Sequence, residues 1–145
     1  MLTREMQPEF EELDHTADLA MRVRGATLDL LFRHAAGGMM QLMTGPLPGI
    51  SAQTERTVDI GAEALDALLR DWLSELIFLV AAERLVPVSF VLERIDAHGL
   101  RARVGVVPLT DTIARDATEI KAVTWHGLRV DRDEEGFVAE VVFDT

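Results

Sequence analysis

The sequence predicts an α+β fold, in which two main helices pack against a largely antiparallel β-sheet. Two long stretches repeat apolar residues at steps of three and four, which is typical of amphipathic helices. Several shorter stretches alternate apolar and polar residues and are joined by turns, which is typical of antiparallel strands. Because strands and helices do not alternate regularly along the chain, a parallel sheet is disfavoured.

Two short strands are predicted first, over residues 10–13 and 19–23. A helix follows from Leu28, with Thr27 as its N-cap, and ends at Gly45. Gly37-Gly38 in its middle costs about 1 kcal/mol per glycine relative to alanine. The usual compensation is close approach of another backbone, so we expect a second segment of chain to pack there.

The second helix is predicted over about residues 62–83, after a strand over 55–60. Its last turns, residues 76–82, are apolar on every side. Such a segment is either the centre of the core or an end that binds a partner.

The remaining strands belong to the C-terminal half. Residues 88–95 and 100–107 form a predicted hairpin around Asp96-Ala97-His98-Gly99. Alternation in a strand over 119–125 places Glu119, Lys121 and Val123 on one face, so Glu119 and Lys121 are candidates for an ion pair. The last two predicted strands cover residues 128–130 and 137–143.

The composition limits the classes of function that the chain can have. With 145 residues the chain predicts a single domain over 1–145. Its net charge of −11, from 14 basic and 25 acidic residues, opposes direct, non-specific binding of nucleic acid. The chain has no cysteine, which excludes disulfides and thiolate metal sites. Without a signal peptide or a membrane-spanning run, we expect a soluble cytoplasmic protein.

The motifs of common enzyme classes are absent. The sequence has no nucleophile elbow, no His-Glu-x-x-His, no phosphate-binding loop and no dinucleotide fingerprint. Residues 131–136 match the first half of an EF-hand loop, but the twelfth position is Val142 where a bidentate Glu is required. We interpret this segment as a solvated acidic hairpin turn.

Two clusters of oxygen ligands lie far apart in the sequence. In the first, Asp14 and Asp18 can present carboxylates to a hard cation, and His15 can add an imidazole or hydrogen-bond the turn. The second is Asp144 with the main-chain carboxylate of Thr145, if the chain ends there. Each has an ordinary alternative, namely a turn whose side chains bond their own backbone and a frayed polar tail.

Taken together, these motifs resemble the archease family. The resemblance covers almost the whole chain, through residues 14–18 (Asp-His-Thr-Ala-Asp), 68–76, 119–126 (Glu-Ile-Lys-Ala-Val-Thr-Trp-His) and the terminal Phe143-Asp144. Archeases are small, non-catalytic partners of the RtcB-type RNA ligase, which joins tRNA halves after intron removal and repairs broken RNA. The resemblance implies that this chain accelerates guanylylation of the ligase and allows its multiple turnover.

The resemblance also implies a metal site. In the family a divalent cation, taken as calcium, lies between the positions of Asp18, Asp144 and Thr145. It further implies that Lys121 contacts the ligase or its nucleotide. Beside the metal ligands, the resemblance implies supporting or functional roles for Asp14, His15, Glu119 and Lys121. Residues 1–9 match nothing in the family, and we expect them to be disordered.

Two other functions remain open at this point. A metal-dependent hydrolase using Asp14, His15 and Asp18 predicts open coordination positions in a deep pocket. A chaperone-like binding module predicts that the apolar end of the second helix binds unrelated proteins.

Overall fold

The computed structural model describes residues 9–13 and 19–145, and within these ranges the chain forms eight strands and three helices. The strands are β1 (Phe10–Leu13), β2 (Leu19–Gly25), β3 (Thr54–Gly61), β4 (Leu85–Asp96), β5 (Gly99–Pro108), β6 (Ala122–Val123), β7 (Arg129–Asp133) and β8 (Gly136–Asp144). The helices are α1 (Leu28–Thr44), α2 (Leu65–Ala81) and α3 (Asp111–Arg115).

The strands form two antiparallel sheets. The first has the order β1-β2-β8-β6, with β7 also paired to β8, and the second has the order β3-β5-β4. The predicted α+β class is confirmed, whereas the expected single sheet is two sheets. The short helix α3 was not predicted, because five residues are too few to establish a helical repeat in the sequence.

The core lies between the two long helices and the two sheets. Trp72 of α2 is fully buried, and its indole N–H donates a hydrogen bond to the main-chain oxygen of Phe32 in α1 at 3.0 Å. The same indole packs in a T-shaped arrangement against the ring of Phe90 in β4, with 6.1 Å between the ring centroids. Trp72 therefore joins both helices to the second sheet and leaves no buried donor unpaired on its own ring.

The bounds of α1 agree with the sequence. The hydroxyl of Thr27 accepts a hydrogen bond from the N–H of Leu30 at 3.2 Å, and Gly45 ends the helix with a positive φ of 72°. The expectation that a second segment packs against the glycine pair is confirmed at Gly38, although the neighbouring group among the described residues is the side chain of Phe10 in β1 rather than a backbone. A Cβ on Gly38 would lie 2.8 Å from Cγ of the Phe10 ring, and a Cβ on Gly37 would meet nothing within 4 Å.

Helix α2 is shorter than predicted at both ends. The N–H of Ala62 donates to the main-chain oxygen of His98 at 2.9 Å, so this residue belongs to the end of the second sheet. At the other end, Arg84 has a φ of 55°, which takes the chain out of the helical region. Most of the apolar stretch 76–82 faces the core, but the side chain of Phe78 is 51% exposed. The interpretation as part of the core is therefore confirmed for Leu76, Ile77 and Leu79, and the interpretation as a partner-binding end stays a prediction.

The predicted strand over 119–125 contains only two residues in strand conformation. Ile120 and Val123 are both buried at a spacing of three, which breaks the alternation that the sequence suggested. Val123 therefore does not share a face with Glu119 and Lys121, which are exposed. Among the described residues no ion pair joins Glu119 to Lys121.

The two C-terminal hairpins form as predicted. Strands β4 and β5 meet at Asp96↔Gly99, and a carboxylate oxygen of Asp96 accepts the N–H of His98 at 2.8 Å. This hydrogen bond is the main reason why the pKa of Asp96 lies below its usual range. Strands β7 and β8 form the second hairpin, from Asp133↔Gly136 onward.

The expected disorder of residues 1–9 falls almost entirely outside the described residues. Glu9 is the exception, since its main-chain oxygen accepts a hydrogen bond from the N–H of Arg24 at 3.0 Å. Within the described part of the chain, no helix is long and apolar enough to cross a membrane.

The glycine pair of α1 gives a matched test of this packing. Gly37→Ala should raise the free energy of unfolding by about 0.5–1 kcal/mol, because it removes a helix-interior glycine without a steric cost. Gly38→Ala should lower it, because a Cβ pressed against Phe10 costs more than the helix propensity gains. Chemical denaturation of both variants measures the difference. Equal stabilisation by both would show that the ring of Phe10 does not constrain this position.

Candidate functional site

One end of the first sheet collects the ends of several strands. Strand β1 ends at Leu13 and β2 begins at Leu19, and Leu19 is the register partner of Phe143 in β8. Strand β8 ends one residue later at Asp144, which pairs with Ala122 of β6. We call this end, defined by Leu13, Leu19, Asp144 and Ala122, the sheet end.

Asp144 presents its oxygen atoms at the sheet end. Its main-chain oxygen accepts a hydrogen bond from the N–H of Lys121 at 2.7 Å, so the backbones of these two predicted site residues are in direct contact. Both Asp144 and Thr145 are exposed. Among the described residues, no ion pair engages the carboxylate of Asp144.

The other half of the predicted metal site lies outside the described residues. Asp14, His15 and Asp18 belong to the connection between β1 and β2, and the structure describes only the flanking residues Leu13 and Leu19. In the described ranges no group of three or more His, Cys, Asp or Glu side chains can hold a metal ion. The ligand set Asp18, Asp144 and Thr145 therefore stays a prediction, and so does the hydrolase alternative.

A cleft of about 400 Å³ opens beside Lys121. Its walls are the end of α1, the C-terminal half of α2, and residues 109–121. Two main-chain hydrogen bonds join these walls, from the N–H of Thr118 to the oxygen of Met43 at 2.7 Å and from the N–H of Leu109 to the oxygen of Arg84 at 2.8 Å. Most of the lining is apolar.

The charged residues that line the cleft are Arg84, Glu119 and Lys121. Glu119 and Lys121 come from the motif of the sequence analysis, and Arg84 was missed. The sequence contains no signal for Arg84, because its place in the cleft depends on a left-handed backbone conformation and on contacts between distant segments.

Exposed aromatic side chains lie along α2. Trp125 is 56% exposed, and the guanidinium of Arg70 lies 4.8 Å from the centre of its indole ring. Arg70, Ser74 and Phe78 follow one another at four-residue steps and so share one face of the helix. The surface along α2 therefore combines aromatic rings with an arginine, a composition enriched in protein–protein interfaces.

The acidic turn that resembles half of a calcium loop has other partners. One carboxylate oxygen of Asp133 accepts a hydrogen bond from Arg24 at 2.9 Å, and the other accepts the N–H of Glu135 at 2.8 Å. The bond from Arg24 is the main reason why the pKa of Asp133 lies below its usual range. The predicted hairpin is therefore confirmed, but its turn is shorter than predicted, because residues 131–133 belong to β7 and only Glu134 and Glu135 form the turn.

The fold and the site define a small two-sheet α+β protein with exposed carboxylates at one sheet end and an open apolar cleft beside it. Residues 10–145 match the model described as the Archease protein family, which covers nearly the whole chain. The chain belongs to the archease family.

Curated relatives and solved structures agree with this assignment. Protein archease of Methanosarcina acetivorans is 33% identical over 141 residues, covering 93% of this chain and 94% of the relative. Protein archease of Methanothermobacter thermautotrophicus is 34% identical over 140 residues, covering 93% and 97%.

Two solved structures share the fold. The solution structure of protein 1598 from Methanobacterium thermoautotrophicum superposes with a TM-score of 0.80 at 30% identity, covering 94% of this chain and 99% of that one. A crystal structure of an archease from Thermotoga maritima, described as a "possible chaperone", has a TM-score of 0.63 at 23% identity, covering 99% and 100%.

The contact between Arg24 and Asp133 predicts a specific change in titration. Arg24→Gln should raise the pKa of Asp133 toward its ordinary value, because the neutral amide no longer favours the carboxylate. A carboxylate with a lowered pKa in the folded state adds stability above the pKa of the unfolded chain, and that stability is lost as the pH falls through the folded value. The variant should therefore lose less stability on acidification.

Nuclear magnetic resonance titration of the carboxyl carbons measures this shift. The pKa of Asp96, which is lowered mainly by the N–H of His98, should not change and is the internal control. An unchanged pKa for Asp133 would contradict the contact.

Proposed function

We propose that this protein is a non-catalytic, cytoplasmic activator of an RtcB-type RNA ligase, which accelerates guanylylation of the ligase and allows its multiple turnover. The proposal rests on membership of the archease family and on one structural observation. The hydrogen bond between the N–H of Lys121 and the main-chain oxygen of Asp144, at 2.7 Å, brings two separate sequence motifs to the same sheet end.

The proposed site includes a divalent cation, Ca²⁺, held by Asp18, Asp144 and Thr145. Oxygen donors of this kind are the ligands that Ca²⁺ prefers, and Asp144 and Thr145 are exposed at the end of β8. The connection that carries Asp18 leaves the sheet from Leu19, whose register partner Phe143 directly precedes Asp144. A bound cation would offset the mutual repulsion of carboxylates gathered at this end.

The net charge supports a protein partner rather than direct contact with RNA. A chain of net charge −11 repels phosphate groups at long range. The same charge steers it toward a basic protein surface such as the one that an RNA ligase uses for its substrate. An acidic activator can therefore approach the ligase without competing as an RNA-binding protein.

A chaperone-like binding module is the second candidate. The half-exposed ring of Phe78 and the apolar cleft beside it favour this reading, since exposed apolar surface is where such proteins hold their clients. Suppression of aggregation of unrelated proteins would support it. A function in RNA ligation predicts no such general effect.

The central experiment is a ligation assay with limiting ligase and RNA in excess, with and without this protein. Ligated RNA should exceed the amount of ligase only when the protein is present. Equal amounts of product in both reactions would overturn the proposal.

Removal of the Asp144 carboxylate tests the metal site. Asp144→Asn should abolish stimulation and weaken Ca²⁺ binding by at least about tenfold, because a neutral amide replaces a charged ligand. The melting temperature should change little, since the side chain is exposed. Calorimetric titration with Ca²⁺ and the turnover assay measure the two effects.

The matched control is Asp131→Asn, which removes a carboxylate from β7 in the same sheet. It should leave both Ca²⁺ binding and stimulation at the level of the parent. Full stimulation by Asp144→Asn would remove this residue from the site.

A substitution of Lys121 distinguishes contact with the ligase from metal binding. Lys121→Ala should slow guanylylation of the ligase under single-turnover conditions and leave Ca²⁺ affinity unchanged, because an ammonium group does not ligate a cation. A purely structural role at this exposed position predicts a loss of less than about 1 kcal/mol of stability and full stimulation. Arg94→Ala, which removes an exposed cation from the far end of β4, is the control for net charge.

A further inference from the structure

Most basic side chains of the described residues have an acidic or aromatic partner. The arginines on both sheets and on the long helices form ion pairs with carboxylates, and Arg132 packs over the ring of Phe137. Within the described ranges, Arg84, Arg115 and Lys121 form neither an ion pair nor a side-chain hydrogen bond nor a ring contact.

Two of these three unpaired cations lie at one place. Arg84 and Lys121 line the cleft, and Arg115 lies outside the lining, one residue after Ala114, which belongs to it. Glu119 is the one carboxylate in the lining, so the cleft carries more positive than negative charge. In a chain with 25 acidic and 14 basic residues, two cations that line a single cleft and form no ion pair with a described residue indicate a place for an external anionic group.

The backbone at Arg84 supports the same conclusion. Its φ of 55° lies in the left-handed region, where a residue with a side chain is strained and where glycine commonly follows a helix. Residues strained in this way cluster at functional sites. Here the left-handed conformation belongs to an arginine that lines the cleft.

The walls and surroundings of the cleft indicate the size of its occupant. The side chains of Ile77, Val80 and Leu109 contribute to an apolar lining within a volume of about 400 Å³. The exposed ring of Phe78 and the Arg70–Trp125 pair extend the surface along α2 for about 12 Å between residues 70 and 78, at 1.5 Å per residue. A surface of this length suits a peptide segment better than a small molecule.

We propose that the cleft binds a short segment of the partner ligase in which an acidic side chain adjoins a bulky apolar one. The inference rests on the proposed function, because the partner is the ligase of that proposal. The acidic side chain pairs with Arg84 and its neighbouring cations, and the apolar side chain enters the cleft. At physiological salt the screening length is about 8 Å, so carboxylates farther from the cleft than this weaken the attraction little.

The test measures binding of the purified ligase to the parent and to Arg84→Gly by calorimetry at physiological salt. Arg84→Gly should weaken binding by about tenfold or more and leave the melting temperature unchanged or raised, because glycine relieves the left-handed backbone. Arg115→Gln should weaken binding in the same direction. Arg94→Gln, which makes the same change of net charge away from the cleft, should bind as the parent does.

A panel of short synthetic peptides that tile the ligase sequence identifies the segment. At least one peptide with adjoining acidic and apolar residues should bind the parent, and its Asn/Gln counterpart should not. If the peptides fail and a short RNA binds the parent but not Arg84→Gly, the cleft is a nucleic-acid site and the inference is wrong.

The outcomes separate this inference from the proposed function. If the parent stimulates the ligase and both arginine variants bind it equally well, the inference alone is overturned. If the parent neither binds nor stimulates the ligase, the proposed function fails and the inference fails with it. If Arg84→Gly lowers the melting temperature, Arg115→Gln and the neutral peptides still decide the question.

Discussion

The register of β8 is the constraint on which the site depends. This strand pairs with β2 along one edge and with β7 and β6 along the other. Ala139, Val141 and Phe143 alternate into the core at 1% exposure or less. A slip of one residue would turn these side chains to solvent, so burial holds the register. The same register sets Asp144 beside β6 and one residue beyond the level of Leu19.

Elements with strong local signals were predictable from the sequence. Thr27 and Gly45 mark the two ends of helix α1. The hairpin of β4 and β5 is indicated by alternating apolar and polar residues on both sides of a short turn. The length of the strand around Lys121 was not predictable. Ile120 and Val123 are both buried by tertiary packing, and their spacing of three does not fit the alternation of a strand. The division into two sheets likewise depends on contacts between distant segments.

Some residues of the candidate site could likewise be identified from the sequence, and one could not. Asp144, Glu119 and Lys121 could be selected from the sequence because they belong to recognisable motifs, although only the pairing of β6 with β8 shows that Lys121 and Asp144 touch. Arg84 could not be selected. Arg84 is distinguished by the sign of its φ angle and by the absence of an ion pair with a described carboxylate, and neither property can be predicted from the residues around it.

The two tryptophans of the chain occupy opposite environments. Trp72 is enclosed between the helices and donates to a main-chain oxygen, whereas Trp125 is more than half exposed under the guanidinium of Arg70. Their intrinsic fluorescence therefore divides into a blue-shifted emission from the interior and a red-shifted, quencher-accessible emission from the surface of α2. A single label-free spectrum can thus follow melting of the core and occupation of that surface as separate signals.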